Sequence, residues 1–115
     1  MAKTLNTLAL DLGAESGRAI LGQFDGHRLA LTDVHRFANG PVRLPDGLHW
    51  DVLRLWSDIK AGIAKASREH GGEIAGIGLD TWGVDFALLD RRGALIGNST
   101  HSRDDRTDGM QGGIK

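Results

Sequence analysis

Apolar residues fall along this chain in short blocks. Thr7 to Leu12 (TLALDL) is nearly continuous and bounded by glycine, the pattern of a strand covered on both faces. Arg18 to Phe24 (RAILGQF) and Arg28 to Phe37 (RLALTDVHRF) follow, separated by Asp25-Gly26, a two-residue hairpin signal, so the three blocks predict an antiparallel meander. Residues 38–50 hold both prolines and little periodicity and predict a loop, with a brief strand at Leu48 to Trp50. From Asp51, the expected N-cap, Val52, Leu55, Trp56, Ile59, Ile63 and Ala66 recur at spacings of three and four, the buried stripe of an amphipathic helix. Lys65, Arg68 and His70 suit its last turns, and Gly71-Gly72 its stop. Ile74 to Asp80 (IAGIGLD) reads as a central strand, with the helix as the crossover to a parallel pairing. Beyond a bend at Thr81 to Gly83, Asp85 to Leu89 and Ala94 to Gly97 predict a second hairpin around DRRG. The tail from Asn98 is polar and glycine-rich. Three antiparallel strands joined by a parallel one predict an α/β fold: a ribonuclease H-like, actin-like ATPase mixed sheet with a crossover helix.

Composition narrows the classes of partner. Hydrophobic residues make up 40% and charged residues 25% of 115 residues, as in an ordinary globular chain long enough for one domain. With 14 basic against 15 acidic residues the net charge is -1, which gives no electrostatic case for nucleic acid or an anionic membrane, so any anion must be bound locally. The absence of cysteine leans toward a reducing compartment, and the start, MAKTLNTLALDLG, resembles neither a signal peptide nor a spanning helix, so a cytoplasmic location is expected.

Three segments carry candidate chemistry. In DLGAESGR, residues 11–18, Asp11 ends a strand and Gly13, Ala14, Glu15, Ser16 and Gly17 form a turn able to aim backbone N–H groups at an anion. Arg18 adds a guanidinium that can take two phosphate oxygens, and a nearby carboxylate can hold Mg²⁺. The competing reading is an ordinary hairpin with glycines for geometry. In DTWGVDF, residues 80–86, Trp82 can stack on a sugar ring, Gly83 admits a hydroxylated ligand to the backbone and Asp85 can accept hydroxyl hydrogen bonds. Equally, Trp82 can be core and Asp85 a turn residue. HSRDDRTDG, residues 101–109, reads from charge alone as a solvated loop. The five histidines show no metal-ligand spacing and are given no role, and Ser16 has no evident base.

Taken in order, LALDLGAESGRAIL, GIGLDTWGVDFALLD and SRDDRT resemble the FGGY family of carbohydrate kinases over nearly the whole chain, from about Leu8 to Gly109. DTWGVDF resembles the rhamnulokinase branch of that family, with a fuculokinase-like member as the alternative. The resemblance implies an incomplete N-terminal kinase domain, residues 1–115, from an enzyme that transfers the γ-phosphoryl of ATP to a terminal hydroxyl of a deoxy-ketose such as L-rhamnulose. It implies that Asp11 lies near Mg²⁺ and that Gly13, Ala14, Glu15, Ser16, Gly17 and Arg18 line the ATP phosphates. Gly83 would contact the sugar, Trp82 and Asp85 would shape its pocket, and Arg103 and Asp104 would border it. Relatives often carry an aromatic just before the Arg-Asp pair, where His101-Ser102 stand here.

Family members are several times longer. A C-terminal kinase domain with the adenosine site and a catalytic aspartate is the expected covalent partner, the chain is expected to be a truncated or partial gene product, and the isolated chain is expected to show no turnover. Two other readings compete. A ribonuclease H-like nuclease would place metal-binding carboxylates at Asp11 and Asp80 with Asp58 or Glu69 facing them, although no basic surface awaits a nucleic acid. A non-catalytic fragment would expose apolar surface and aggregate.

Overall fold

The computed structural model describes residues 3–70 and 73–105. The expected helix stop at Gly71-Gly72, the glycine-rich end of the tail, and Arg106 and Thr107 of SRDDRT lie outside the described residues. The chain divides into two compact units, one of Met1–Asn39 with Leu53–Trp82, the other of Gly40–Val52 with Gly83–Lys115.

The first unit is a four-stranded sheet with one helix. Strands β1 (Leu5–Leu12), β2 (Ser16–Phe24) and β3 (Leu29–Ala38) form the predicted meander. The sequence continues through β4 (Pro41–Leu44), β5 (Gly47–Trp50) and helix α1 (Val52–His70) to β6 (Ile74–Asp80), which pairs parallel to β1 and gives the sheet order β3-β2-β1-β6. β1 departs from expectation in its burial: Leu8, Leu10 and Leu12 are buried, while Thr7 and Asp11 are only partly covered and Ala9 is exposed. The strand has one core face and one open face, since side chains alternate across a strand and the core cluster gathers on the leucine side alone. Gly17, Ala19 and Leu21 lie opposite Leu12, Leu10 and Leu8 and continue that core face into β2.

Helix α1 covers the leucines with Ile59, Gly62 and Ala66, supported by half-buried Leu55 and Ile63. Gly62 lets the helix approach closely: a Cβ there would stand 2.9 Å from the Ala19 Cβ. Trp56, expected in the buried stripe, is 54% exposed, and Lys60 Nζ sits 5.6 Å from its ring centre. A ring that large does not fit where the contact is built from Gly62 and Ala19, and it stays at the border of the stripe. A register shift between Ala19 and Ile20 tucks Val34 of β3 into the core as an extra residue. The β2–β3 loop has four residues rather than two: Asp25 Oδ1 accepts the N–H groups of His27 and Arg28, and Gly26 takes φ of 100°.

The second unit is less regular. Within residues 38–50, expected as a loop with a brief strand at Leu48 to Trp50, that strand is present as β5 and pairs with the unexpected β4 in a hairpin, with Pro41 as the first residue of its strand, where a missing N–H is tolerated. The expected second hairpin is reduced to one bridge, Leu89 with Leu95, around a turn in which Asp90 Oδ1 accepts the N–H groups of Arg92 and Ala94. The side chain of Asp90 organises this turn, and the flanking apolar residues Phe86, Leu88, Leu89 and Ile96 are exposed, so no buried face extends the pairing into strands.

Candidate functional site

In the first unit, the C-terminal end of β1 is the centre of a charged row. Asp11 is in register with Asp80 of β6 on one side and with Arg18 of β2 on the other, and Arg18 is in register with Arg36 of β3. Residues directly opposite one another across a sheet share a face, so the row Asp80, Asp11, Arg18, Arg36 crosses all four strands on the face opposite the leucine core. Two acids are followed by two bases. Arg18 Nη2 donates to Asp11 Oδ2 at 2.6 Å. That hydrogen bond holds the guanidinium proton more firmly than usual, against the opposing effect of partial burial, and the charges of Asp11 and Asp33 add to it. Arg36 pairs with Asp33 at 2.9 Å, and Asp80 Oδ1 accepts the N–H of Thr81.

The turn that follows Asp11 is tight. Gly13 N–H donates to Ser16 C=O at 2.8 Å, and Asn39, the residue after β3, fastens the turn through its N–H to Glu15 C=O and its Nδ2 to Gly13 C=O. Both flanking glycines are required by the protein's own packing. A Cβ on Gly13 would stand 2.9 Å from the Ser16 carbonyl oxygen, and one on Gly17 would enter the Phe37 ring at 2.1 Å. The N–H of Gly13 closes the turn, which leaves the tip residues Ala14, Glu15 and Ser16 as its outer part.

The structure divides the second segment. Trp82 is half-buried against the core of the first unit, while Gly83 and Asp85 belong to the second. Around Gly83 space is open, with no atom within 4 Å of an added Cβ. The left-handed residue is Val84, at φ of 67° and 88% exposed. A β-branched residue in that region is strained by roughly 1–3 kcal/mol, a feature that glycine counting does not reveal. Asp85 lines a half-open cavity of about 690 Å³ whose walls are Val84 to Leu88 and Ile96 to Ser102 with Asp104.

Arg103 is exposed and Asp104 is buried. Asp104 Oδ2 accepts the N–H of Leu48 at 2.6 Å, so this carboxylate ties its segment to β5. Ser99 Oγ donates to Phe86 C=O, and Trp50 stacks on His101 with ring centres 4.2 Å apart. Sequence reasoning singled out Asp104 but missed the rest of this buried polar knot, because its two segments, 48–50 and 99–104, are far apart in the chain and no periodicity links them.

Asp11 and Asp80 stand on neighbouring strands, roughly 4.8 Å apart at the backbone by ordinary sheet spacing. Two carboxylates side by side suit a hard cation that keeps most of its waters, as Mg²⁺ does when it arrives with phosphate. Among the described residues no group of three or more His, Asp or Glu side chains gathers into a protein-built metal cage. The third acid a nuclease site would need does not face this pair: Asp58 and Glu69 lie on α1, which packs on the opposite side of β1, and they pair with Arg54 and Lys65. No helix among the described residues is long and apolar enough to cross a membrane.

The fold defines the class that the chain is similar to: the described sheet and helix match part of the actin-like N-terminal domain of sugar kinases. In structure it is similar to the gluconate kinase from Lactobacillus acidophilus (TM-score 0.72, 15% identity, 90% of this chain and 20% of that one) and to the xylulose kinase from Rhodospirillum rubrum (TM-score 0.71, 23% identity, 96% and 24%). In sequence it is similar to the rhamnulokinases of Mannheimia succiniciproducens, 42% identical over 108 residues, and Halalkalibacterium halodurans, 43% identical over 104. These matches take in 92% and 90% of this chain, which spans only 22% of the length of either relative. No family model matches the chain.

Proposed function

We propose that this chain forms the phosphate-facing floor and part of the sugar wall of an ATP-dependent kinase acting on L-rhamnulose or a closely related deoxy-ketose. The observation that carries the reading is the charged row on β6, β1 and β2, standing in a chain that matches rhamnulokinases over most of its length. Asp11, with Asp80 beside it, would hold Mg²⁺, which when bound neutralises charge developing on the transferred phosphoryl group. The outer part of the Gly13–Gly17 turn would offer backbone donors to the ATP phosphates, and Arg18 would exchange its bond to Asp11 for phosphate oxygens. On the sugar side, Gly83 would let a hydroxyl approach the backbone, Trp82 and Asp85 would shape the pocket, and Arg103 with Asp104 would border it. Transfer to the sugar hydroxyl requires a base for its proton, and in this reading that base lies in the remainder of the enzyme, the covalent partner of this chain. A cytoplasmic location goes with such an activity.

A chimera tests the proposal. The matching 104-residue stretch of the Halalkalibacterium halodurans rhamnulokinase is replaced by this chain, and ATP-dependent phosphorylation of L-rhamnulose is measured. Activity is expected in the chimera and a loss of about 100-fold or more with Asp11→Asn, on the scale of removing an electrostatic group from a transfer site. A folded chimera that phosphorylates the sugar equally well with Asn at 11 would refute the role of the row.

A further inference from the structure

The segment 99–104 is clamped to β5 at several points. Trp50 N–H donates to Ser99 C=O at 2.8 Å, His101 N–H to Leu48 C=O at 3.0 Å, and Asp104 N–H to His101 C=O at 2.9 Å, while Leu48 N–H donates to the Asp104 carboxylate. Inside this clamp, Arg103 N–H donates to His101 Nδ1 at 2.9 Å. A backbone N–H can only donate, so Nδ1 carries no proton and the ring is the neutral Nε2–H tautomer. The residue is 4% exposed and its ring rests on Trp50. It is therefore held by stacking on one side and spends its one free lone pair on a turn of its own backbone.

We propose that His101 is a positioning residue: its unprotonated Nδ1 sets the turn that presents Arg103 and buries Asp104, and protonation of the ring releases that turn. The functional meaning of this device rests on the proposed placement of Arg103 and Asp104 beside the sugar; its geometry does not. A proton on Nδ1 would turn the acceptor into a donor facing the Arg103 N–H, and the two would repel. Among the described residues, the charged and titratable groups on its own segment, on the strand bridged to that segment or lining the same cavity are Arg103, Asp104 and Asp105, His49 on β5 with Asp46 bonded to its Nε2 at 2.8 Å, and Asp85. His49 is the only other imidazole among these, and its bond to Asp46 involves Nε2 rather than the Arg103 turn, so the two rings are separable by substitution.

The test uses the ¹⁵N-labelled 115-residue chain. Long-range ¹H–¹⁵N spectra report the ring tautomer, and amide exchange reports the Arg103 hydrogen bond. As the His101 ring titrates, Arg103 exchange, corrected for its intrinsic pH dependence, is expected to accelerate about tenfold, the order of one hydrogen bond's net contribution. His101→Asn places an amide oxygen near the position of Nδ1 and should keep Arg103 protected across the same pH range. His101→Phe keeps a ring against Trp50 but offers no acceptor and should lose protection at every pH, with tryptophan near-ultraviolet signals confirming that the fold is retained. Arg103 protection that ignores the titration of His101, or that survives in a folded His101→Phe chain, overturns the proposal. Adding L-rhamnulose separates the two readings, because a missing sugar response at Arg103 and Asp104 beside an intact pH response would remove the sugar assignment and leave the positioning role standing.

Discussion

The two units of this chain are held together by different means. In the first, Leu8, Leu10, Leu12, Ala19 and Leu21 form one buried face under α1, and β1 is paired on both of its edges. In the second, the buried residues among those described are largely polar: His49, Ser99, His101 and Asp104 accompany Trp50, while Val84, Phe86, Leu88 and Ile96 stay exposed. A leucine face gains stability from area removed from water and tolerates imprecise geometry. A polar knot gains little net from each bond and loses heavily when one partner is removed. The sheet unit should therefore respond to lost volume and the irregular unit to lost hydrogen bonds.

The largest effect is expected at Leu21, which is fully buried in the middle of the leucine face. Leu21→Ala should cost about 2–5 kcal/mol, the transfer and cavity terms of a deleted core side chain. Hydrogen exchange in β1 and β2 during urea titration would report it. A loss below about 1 kcal/mol would mean that the core collapses around the deletion and that the face is not close-packed.

Asp104 is the matching test in the second unit. Asp104→Ala removes the acceptor for the Leu48 N–H and should cost about 1–3 kcal/mol, read as faster exchange at Leu48 and His101. Asp104→Asn, which keeps an oxygen acceptor without the charge, should recover much of that loss. If both variants behave alike, the carboxylate is not the tie between the 99–104 segment and β5.

The same contrast governs how much could be read from the sequence. The meander, the helix and β6 were legible because apolar blocks bounded by glycine or turn residues mark the strands and a stripe of period 3.6 marks the helix, although β6, read as a central strand, lies at the edge of the sheet among the described residues. Asp11, Arg18 and Asp80 of the charged row were legible singly, but Arg36 and the alignment of the four were not, since these depend on the pairing of β6 with β1 and on the β2–β3 register. Gly13 and Gly17 were noticed as ligand-facing candidates, while their space is demanded by Ser16 and Phe37, contacts made only on folding. β4 escaped because proline and short length hide a four-residue strand. The second hairpin was over-read because an alternating apolar run reports a strand only when one face is buried. His101 was passed over because a histidine without a spaced partner carries no signal; its partners are a tryptophan ring and a backbone amide brought together by β5.

The smallest effect sharpens the contrast from within the sheet unit, at the β2–β3 loop, where a side chain does what the polar knot does elsewhere. Asp25 accepts from the N–H groups of Arg28 and His27, and these two bonds, Arg28 first, draw its carboxyl below the ordinary 3.8. A carboxylate with a lowered folded-state value adds stability that is fully present above its unfolded value and disappears as the pH falls through the folded one. The loop contribution should thus be constant at neutral pH and fade only below about pH 4. Asp25→Asn keeps an oxygen acceptor but cannot titrate, so the stability gap between it and the parent should be flat near neutrality and narrow in acid. Direct titration of the Asp25 carboxyl by NMR provides the check: a midpoint at or above 3.8 would show that the loop bonds are too exposed to favour the anion. The loop would then be set by Gly26 and strand pairing alone, as leucine packing sets the rest of the unit.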